Sequence, residues 1–334
     1  GLEVVHPGRM ALLAEVARDD VGVPADAPMT KSLKGISLRS ALRMMLRDLD
    51  LTYVIMDEVL LITTREESER RMFVRVYPVG DLVGARGESD DEEAGCESLM
   101  ATFTACIVPE SWEGVGGPGS MTAIPPGKPS SLVVRQSQRV HEKIADFLGN
   151  LRRAVEAKAG GEIRPIGGSP LTAGAEKRID EALESPTAMQ FIETPLTDVL
   201  EFLENEHQIE IQVDGRALDD VGVPSDTAVT IDIKGVSLRS ALRLILRELD
   251  LTYMFRDEVL LITTPEEAEM VLVTRIYPLD HLVAGRREAA ETDRSYHDGL
   301  VRTITSMIAP QTWANVGGAG NLAVLRVGAL EALV

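Results

Sequence analysis

The chain repeats itself after about 200 residues, and this duplication limits its fold more than any other feature. Residues 34–64 and 234–264 are identical at 24 of 31 positions without a gap. The match continues to the segments that begin at Trp112 and Trp313, where the offset between the repeats grows by one residue. Because both repeats carry the same pattern, we expect a tandem array of small domains rather than one large domain.

Hydrophobic periodicity predicts an α+β fold made of tandem small two-layer domains. The first half of each repeat has the order β-α-β-β-α-β-β, and the second half has the order β-α-β-β-α. In the first half, Ser237 is placed to cap a helix over 238–249 that buries one apolar face. In the second half, residues 81–95 are typical of an acidic loop, and residues 96–108 are typical of a helix.

These patterns divide the chain into five segments, two of which we expect to be incomplete. Compared with each other, the first repeat lacks an opening strand and helix, and the second repeat lacks a closing strand and helix. The chain therefore resembles one and a half units of a longer array. The predicted segments are a partial first-half domain (1–70), a second-half domain (71–157), a linker (158–184), a complete first-half domain (185–270) and a partial second-half domain (271–334).

The charge and hydropathy of the chain exclude several classes of partner. Its formal net charge is −19, from 34 basic and 53 acidic residues, so nucleic acid and anionic membrane surfaces would repel it. No apolar run approaches the roughly 20 residues of a membrane-spanning helix, so we expect no direct membrane insertion. Cys96 and Cys106 lie ten residues apart in a predicted helix, about 15 Å, which is too far for a disulfide.

The residue inventory offers no catalytic, metal or cofactor site. The five histidines are scattered without the paired spacing of metal ligands, and His141 falls on the polar face of a predicted helix over 137–154. Neither cysteine has an evident histidine neighbour, and no nucleophile motif occurs. The carboxylate pairs Asp57–Glu58 and Asp257–Glu258 lie at predicted hairpin tips, where solvated turn residues are common. We therefore expect no enzyme activity, no cofactor and no small-molecule substrate.

A glycine-rich segment of the second half matches a nucleotide-binding pattern in the first repeat only. Gly114, Gly116 and Gly119 spell G-x-G-x-x-G, but the segment follows a predicted helix and precedes a strand, whereas a dinucleotide site needs the reverse order. The second repeat has Asn315 in place of the first glycine. We interpret both copies as structural turns, in which a tryptophan anchors glycines that adopt positive φ. The turn residues are Trp112, Gly116, Gly117 and Gly119, and Trp313, Gly317, Gly318 and Gly320.

Arginines recur every four residues on one helix of each first-half domain and form a basic stripe in an acidic chain. One interpretation is a solvated face that forms local ion pairs. The other is a docking surface for an acidic face of the next unit or of a partner. The basic stripe consists of Arg39, Arg43 and Arg47 in the first repeat and of Arg239, Arg243 and Arg247 in the second repeat.

Two stretches of the repeat resemble domains of known envelope proteins. Residues 191–264 contain a strand, a helix with the pattern "PLTDVLEFL" and the segment "GVSLRSALRLILRELDLTYMFRDEVLLI". In these elements, the first half resembles the short N-terminal domain (N0-type) of secretins and TonB-dependent receptors. The second half, with "VRVYPVGDLV" and "LVVRQSQRVHEKIADFLGNL", resembles the KH-like N1-type domains of secretins. The tandem arrangement is similar to that of large envelope-associated proteins of planctomycetes.

The resemblance implies a fold and a kind of function, and it supplies no catalytic residue because the family has none. It implies a non-catalytic interaction or assembly module that is periplasmic or attached to the envelope and that binds a protein partner or itself. No secretin pore pattern occurs in the chain, so a secretion channel is not implied. The alternatives are a signal-transducing module of the TonB-dependent receptor type, an enzyme of unknown type, and a cytoplasmic location.

Overall fold

A computed structural model describes residues 11–13, 31–84, 89–124, 130–159, 165–224, 226–279, 292–328 and 330–334. Its strands are β1 (Ala11–Leu13), β2 (Leu51–Met56), β3 (Val59–Thr64), β4 (Met72–Pro78), β5 (Ser120–Ile124), β6 (Ser131–Ser137), β7 (Ile166–Gly167), β8 (Pro186–Pro195), β9 (Ile211–Val213), β10 (Ala228–Ser237), β11 (Thr252–Arg256), β12 (Val259–Thr263), β13 (Arg275–Pro278), β14 (Val324–Val327) and β15 (Leu330–Leu333). Its α-helices are α1 (Leu38–Arg47), α2 (Arg65–Arg70), α3 (Gly80–Val83), α4 (Ser89–Cys106), α5 (Gln138–Ala159), α6 (Ala173–Glu184), α7 (Leu196–His207), α8 (Gly215–Asp220), α9 (Leu238–Arg247), α10 (Pro265–Met270) and α11 (Thr292–Met307).

The chain forms two compact units, and each unit combines matching halves of the two repeats. Unit 1 contains Gly1–Arg65 and Leu171–Val271, whereas unit 2 contains Glu66–Pro170 and Leu272–Val334. Both units contain helices and small sheets, which confirms the predicted α+β class. Like halves of the two repeats therefore share one unit, although they lie far apart in the sequence.

In unit 1, the second-repeat half has two small sheets and a helical core. β8 and β10 form an antiparallel pair, and β9, β12 and β11 form a three-stranded sheet in which β12 is central. α9 begins after Ser237, whose hydroxyl accepts a hydrogen bond from the Ser240 amide. The fully buried Leu196 of α7 and the fully buried Leu238 and Leu242 of α9 lie in one core. The predicted cap and buried face of this helix are thus confirmed.

The first-repeat half of unit 1 has the same three-stranded arrangement, with β3 between β1 and β2. α1 begins after Ser37 in the same way that α9 begins after Ser237. The β2–β3 and β11–β12 hairpins both turn through two residues with positive φ, at Asp57–Glu58 and Asp257–Glu258. Such φ values are typical of tight two-residue hairpin loops, and they place both carboxylates at the tip of each hairpin.

Unit 2 contains two sheets that share one hydrophobic core with two helices. β6 lies between β4 and β5 in one sheet, and the order of the other sheet is β14-β15-β13-β7. The core includes Leu99 and Phe103 of α4, Ile144 of α5, Leu325 of β14 and Leu330 of β15. Helices of the first repeat therefore share a core with strands of the second repeat.

The expectation of a linker over 158–184 is wrong for residues 173–184, which form α6. Ala175, Ile179 and Leu183 of this helix are buried, and Ile179 and Leu183 belong to the core of unit 1. These residues recur at intervals of four, which is a helical signal. The neighbouring Gly, Pro and Ser residues carry a stronger signal for a linker and obscure it.

The structure also differs from the sequence expectations in the second halves of the repeats. Residues 81–95 are predicted to be a loop, but α4 already begins at Ser89. A closing strand is predicted to be missing from 271–334, but β15 pairs with β13 at Tyr277 and Leu333, as β6 pairs with β4 at Tyr77 and Leu132. The opening strand and helix predicted to be missing from the first repeat fall mainly on residues 1–10 and 14–30, outside the described residues.

Truncation of Ile179 tests whether α6 is part of the folded core. Ile179 is 4% exposed, so Ile179→Ala should lower the free energy of unfolding by about 2–4 kcal/mol, since it removes buried apolar atoms and leaves a cavity. Glu181 on the same helix has a 67% exposed side chain, so Glu181→Ala should change it by less than about 0.5 kcal/mol. Chemical denaturation followed by circular dichroism measures the free energy of unfolding of both variants. Equal losses for the two variants would contradict the assignment of α6 to the folded core.

Candidate functional site

The candidate site is the contact in unit 1 between α1 of the first repeat and the β11–β12 hairpin of the second repeat. We call it the helix–hairpin contact. Ser37 and Ser40 are followed by the neighbours Arg43 and Met44, three and four residues after Ser40, and by Arg47, four residues after Arg43, which places all five on one side of the helix. Part of the basic stripe and one apolar side chain therefore share a face.

Glu258 at the tip of the hairpin binds the N-terminus of α1. Its Oε2 accepts a hydrogen bond from the Ser37 amide at 3.1 Å, and its Oε1 accepts hydrogen bonds from the Ser37 and Ser40 hydroxyls at 2.6 and 2.9 Å. A carboxylate is favourable here because the first amides of a helix lack intrahelical acceptors and the helix dipole is positive at this end. Three hydrogen bonds to one carboxylate fix the hairpin against the helix.

The protonation of Glu258 depends on this contact. Burial raises the pKa of the Glu258 carboxyl, but the hydrogen bonds from Ser37 and Ser40 and the charge of Arg178 together lower it by more. The pKa of Glu258 therefore lies below its ordinary value, and the carboxylate is ionised at neutral pH.

Ion pairs join the two repeats beside this carboxylate. They are Arg43–Asp257 at 3.7 Å, Arg47–Asp214 at 3.8 Å, and Asp50–Arg216. Asp50–Arg216 is exposed, and a pair of this kind contributes about 0–1 kcal/mol. Arg43–Asp257 and Arg47–Asp214 are partly buried, so the cost of removing their charges from water offsets much of their attraction, and the three pairs add little to the stability of the contact. They set its register and orientation, because like charges would meet in most other arrangements.

Positive charge is concentrated at the Arg47 end of the contact. The guanidinium nitrogens of Arg47 are buried and find no hydrogen-bond partner among the described residues, although Asp214 lies at ion-pair distance. Burial and the charge of Arg47 lower the pKa of the neighbouring Arg256. Asp214 and Asp257 offset this concentration of charge, so loss of either carboxylate would leave a guanidinium poorly compensated.

An apolar cluster fills the middle of the contact. Met44 of α1 and Val259 and Leu261 of β12 are each 1% exposed, and Leu33, Ile36 and Met254 pack around them. Full burial of an apolar side chain of this size stabilises a fold by about 1.5–3 kcal/mol. The apolar cluster therefore contributes more to the strength of the contact than the ion pairs do.

The basic stripe of the second repeat begins with local ion pairs. Arg239 lies 2.7 Å from Glu184 and 3.7 Å from Asp180, both on the adjacent α6. Its counterpart Arg39 is exposed on α1. The two interpretations of the stripe thus describe different residues: Arg239 pairs locally, whereas Arg43 pairs with an acidic residue of the other repeat.

The remaining part of the α9 face is exposed. Arg243 and Arg247 are exposed, and Leu244 is 37% exposed. Leu244 occupies the position that Met44 occupies in the first repeat, where the side chain is 1% exposed. The same face is therefore covered in one repeat and open to solvent in the other.

In unit 2, a helix of the first repeat also contacts a strand region of the second repeat. The Asn321 side chain donates a hydrogen bond to the Ala105 carbonyl of α4 at 2.6 Å. The Arg326 amide of β14 donates one to the Ser98 hydroxyl of α4 at 3.1 Å. Each unit therefore contains a helix-to-strand contact between repeats, and in each the helix comes from the first repeat.

The glycine segment of the first repeat is a turn that closes on Trp112. The indole of Trp112 is 3% exposed and donates to the Ile107 carbonyl at 2.8 Å, while the Trp112 carbonyl accepts from the Gly117 amide at 2.9 Å. Gly116 has a φ of +91°, which favours glycine. A Cβ on Gly117 would overlap the Ser111 carbonyl, and one on Gly119 would overlap Gln136.

The second repeat has the same turn. Trp313 donates to the Ile308 carbonyl at 2.7 Å, and Gly317 has a φ of +92°. A Cβ on Gly318 would overlap the Thr312 carbonyl, and Gly320 bridges to Trp313 as Gly119 bridges to Trp112. These close approaches are between parts of the chain itself, so the glycines are explained by the turn.

His141 does not lie on a polar, solvated face, as the helical pattern predicts, but is fully buried. Its Nδ1 and Nε2 lie 2.9 Å from the Tyr77 hydroxyl and from the Phe73 carbonyl of β4, respectively. Burial lowers the pKa of His141, so the ring is neutral at pH 7. His141 can be buried although it is polar, because β4 supplies hydrogen-bond partners for both ring nitrogens, the Tyr77 hydroxyl and the Phe73 carbonyl.

Few other groups in the described residues carry reactive chemistry. No cluster of three or more His, Cys, Asp or Glu side chains there is placed to hold a metal ion. Burial raises the pKa of Cys106 to about 11 and also raises that of Cys96, so both thiols are protonated at neutral pH. None of the described helices combines the length and the apolar character needed to cross a membrane.

No protein-family model, curated protein or solved structure matches the chain. The helix–hairpin contact does not follow from the sequence patterns, which assign Asp257 and Glu258 only to a solvated turn. One feature of the sequence could have pointed to this contact: each repeat contains both a helix with basic residues on one face and a hairpin with an acidic tip.

Replacing Glu258 tests its role in the helix–hairpin contact. Glu258→Gln should lower the free energy of unfolding at about pH 7 by about 1 kcal/mol, because it removes charge-assisted hydrogen bonds that are partly open to solvent. A pKa that is lowered in the folded state adds stability above the unfolded pKa, and this stability is lost as the pH falls through the folded pKa. The difference between the wild type and the variant should therefore shrink at about pH 3.

The control for this experiment is Glu58→Gln, at the same position of the first-repeat hairpin. No hydrogen bond from the described residues to the Glu58 carboxylate occurs that matches the Ser37 and Ser40 contacts, so its effect should stay below about 0.5 kcal/mol. Denaturation monitored by circular dichroism at both pH values gives the comparison. Equal losses for the two variants, or a Glu258→Gln effect that does not change with pH, would contradict the assignment.

Alanine substitutions in the glycine turn test its structural role. Gly117→Ala should lower the free energy of unfolding by about 2–4 kcal/mol, because the added Cβ meets backbone atoms of Ser111. Gly114→Ala is the matched control, since a Cβ added there would have no atom within 4 Å and its effect should stay within about 0.5 kcal/mol. Tryptophan fluorescence during denaturation reports on this turn through Trp112, and a tolerated Gly117→Ala would argue against a steric role.

Proposed function

We propose that the chain is a non-catalytic protein-interaction and assembly module of the cell envelope, with a role like that of the periplasmic N-domains of secretins. The observation that supports this most directly is the helix–hairpin contact, in which one repeat recognises the other through an apolar centre with charges around it. This arrangement is typical of protein–protein interfaces. The exposed copy of the same helix face on α9 is the surface that we assign to partner binding.

Charge and chemistry favour a protein as the partner. A net charge of −19 disfavours nucleic acid, and the exposed Arg243 and Arg247 favour an acidic protein surface. The exposed Leu244 gives that surface an apolar centre. The envelope location rests on the resemblance of the two halves to secretin N-domains.

Site-specific photocrosslinking in the organism that encodes the chain tests this function. A benzoylphenylalanine residue introduced in place of Leu244 should form protein adducts that fractionate with the envelope. The same residue in place of Lys177, whose side chain is 78% exposed on α6, is the matched control and should form few adducts. Mass spectrometry of the adducts identifies the partner.

Two results would contradict the proposal. One is equal crosslinking from positions 244 and 177, which would mean that the α9 face binds no particular protein. The other is recovery of the chain and its adducts in the cytoplasmic fraction, which would favour the alternative location.

A further inference from the structure

We propose that the exposed face of α9 binds the β2–β3 hairpin tip of a second copy of this chain, so that copies join head to tail. This inference rests on the proposed function and names its partner. It follows from the helix–hairpin contact inside unit 1, where the first-repeat helix and the second-repeat hairpin already form such a pair. The helix of the second repeat keeps the serine and arginine positions of this contact, and the hairpin of the first repeat keeps its acidic tip, Asp57–Glu58, although Met56 stands where the second repeat has Arg256.

The α9 face reproduces the α1 face at the positions that make contact. Ser240 and Arg243 are the counterparts of Ser40 and Arg43, and Leu244 replaces Met44 with another apolar side chain of similar size. Ser240 and Arg243 are exposed, and Leu244 is 37% exposed. A hairpin could therefore approach this face without displacing any of these three side chains from a buried site.

The N-terminus of α9 differs in one respect from that of α1. Ser237 pairs with Pro186 in the β8–β10 ladder, so its backbone is already part of a sheet. A carboxylate from a second copy would accept hydrogen bonds from the Ser237 and Ser240 hydroxyls. In the internal contact, these two serine hydroxyls have counterparts at 2.6 and 2.9 Å from Glu258.

The β2–β3 hairpin presents the matching acidic tip. Asp57 and Glu58 are exposed and have the same positive φ as Asp257 and Glu258, so both tips have the same turn. Val59, the counterpart of the fully buried Val259, is only partly buried. Val54 is already buried, so a second copy would meet the tip of this hairpin rather than its full length.

Two ion pairs of the internal contact cannot form between copies. Arg47 pairs with Asp214 and Asp50 pairs with Arg216, but the sequence has Ala14 and Val16 at the positions that correspond to Asp214 and Arg216. Arg247 should therefore contribute little, although it belongs to the same basic stripe as Arg243. A substitution of Arg247 is therefore a matched control for a substitution of Arg243.

The pairing uses two different faces, which decides the kind of assembly. An isologous dimer would bury the same face on both copies, whereas a helix-to-hairpin pair leaves one helix face and one hairpin tip open at the ends. Such heterologous contacts continue into rings or open chains. We therefore expect a series of species larger than a dimer as the protein concentration rises.

Sedimentation velocity of the purified chain tests the proposal from about 1 μM to about 1 mM protein. The weight-average mass of the wild type should rise across this range. Leu244→Glu and Arg243→Asp should weaken association by about tenfold or more, because they remove the apolar centre and reverse a charge. Arg247→Ala should weaken it by less than about twofold, and thermal unfolding should be similar for all variants because these side chains are exposed.

Charge exchange between copies tests the specific pair. Arg243→Asp and Asp57→Arg should each reduce association when studied alone, since each places like charges opposite one another. An equimolar mixture of the two variants should associate more strongly than either, because both possible contacts between unlike variants then pair opposite charges again. Restoration in the mixture is not expected if the substitutions act only by disturbing the fold.

A monomer at all concentrations would overturn the inference, as would association that Leu244→Glu and Arg243→Asp leave unchanged, or a mixture that associates no better than its components. The outcome is separable from that of the proposed function. A monomeric chain whose position 244 still crosslinks to a different envelope protein would refute self-association and leave the interaction module intact. A monomeric chain without specific adducts would refute both.

Discussion

The carboxylate of Glu258 at the N-terminus of α1 is the contact on which the arrangement of unit 1 depends. It lies at the tip of a two-residue turn in which both residues have positive φ, so the backbone of the turn determines where the carboxylate points. Its three hydrogen bonds engage the first turn of a helix from the other repeat. The neighbouring apolar cluster gives the contact its strength, but an apolar cluster alone would tolerate sliding, which these directional hydrogen bonds oppose.

This contact makes two nearly identical repeats unequal. Met44 and Leu244 lie in segments that share 24 of 31 residues, yet one side chain is buried and the other is 37% exposed. The difference arises because the first-repeat helix binds the second-repeat hairpin, and the reverse pair is not formed among the described residues of the chain. In unit 2 the helix again comes from the first repeat and the strand from the second. A directional contact of this kind is what a tandem array can extend from one repeat to the next.

The features that the sequence predicts are those set by local chemistry, such as the cap at Ser237, the buried face of α9 and the two hairpins. Local signals conflict at α6, whose apolar spacing of four residues lies beside a stretch rich in Gly, Pro and Ser. β15 escapes prediction because its sequence differs from that of β6, although both pair with a strand that carries the Tyr-Pro motif. The candidate site is harder still, because a helical pattern shows that arginines share a face and does not show what lies opposite that face. Arg239 and Arg39 have closely similar sequence neighbours, but Arg239 has α6 beside it.

The large negative charge of the chain gives the basic stripe its specificity. With 53 acidic and 34 basic residues, most orientations of one copy against another bring like charges together and are disfavoured. The stripe is an exception, because it offers Arg43 or Arg243 to an acidic hairpin tip. Repulsion elsewhere on the surface therefore excludes competing contacts, and the stripe needs only modest attraction to select one. This combination explains how ion pairs that add little stability can still decide which surfaces of the repeats meet.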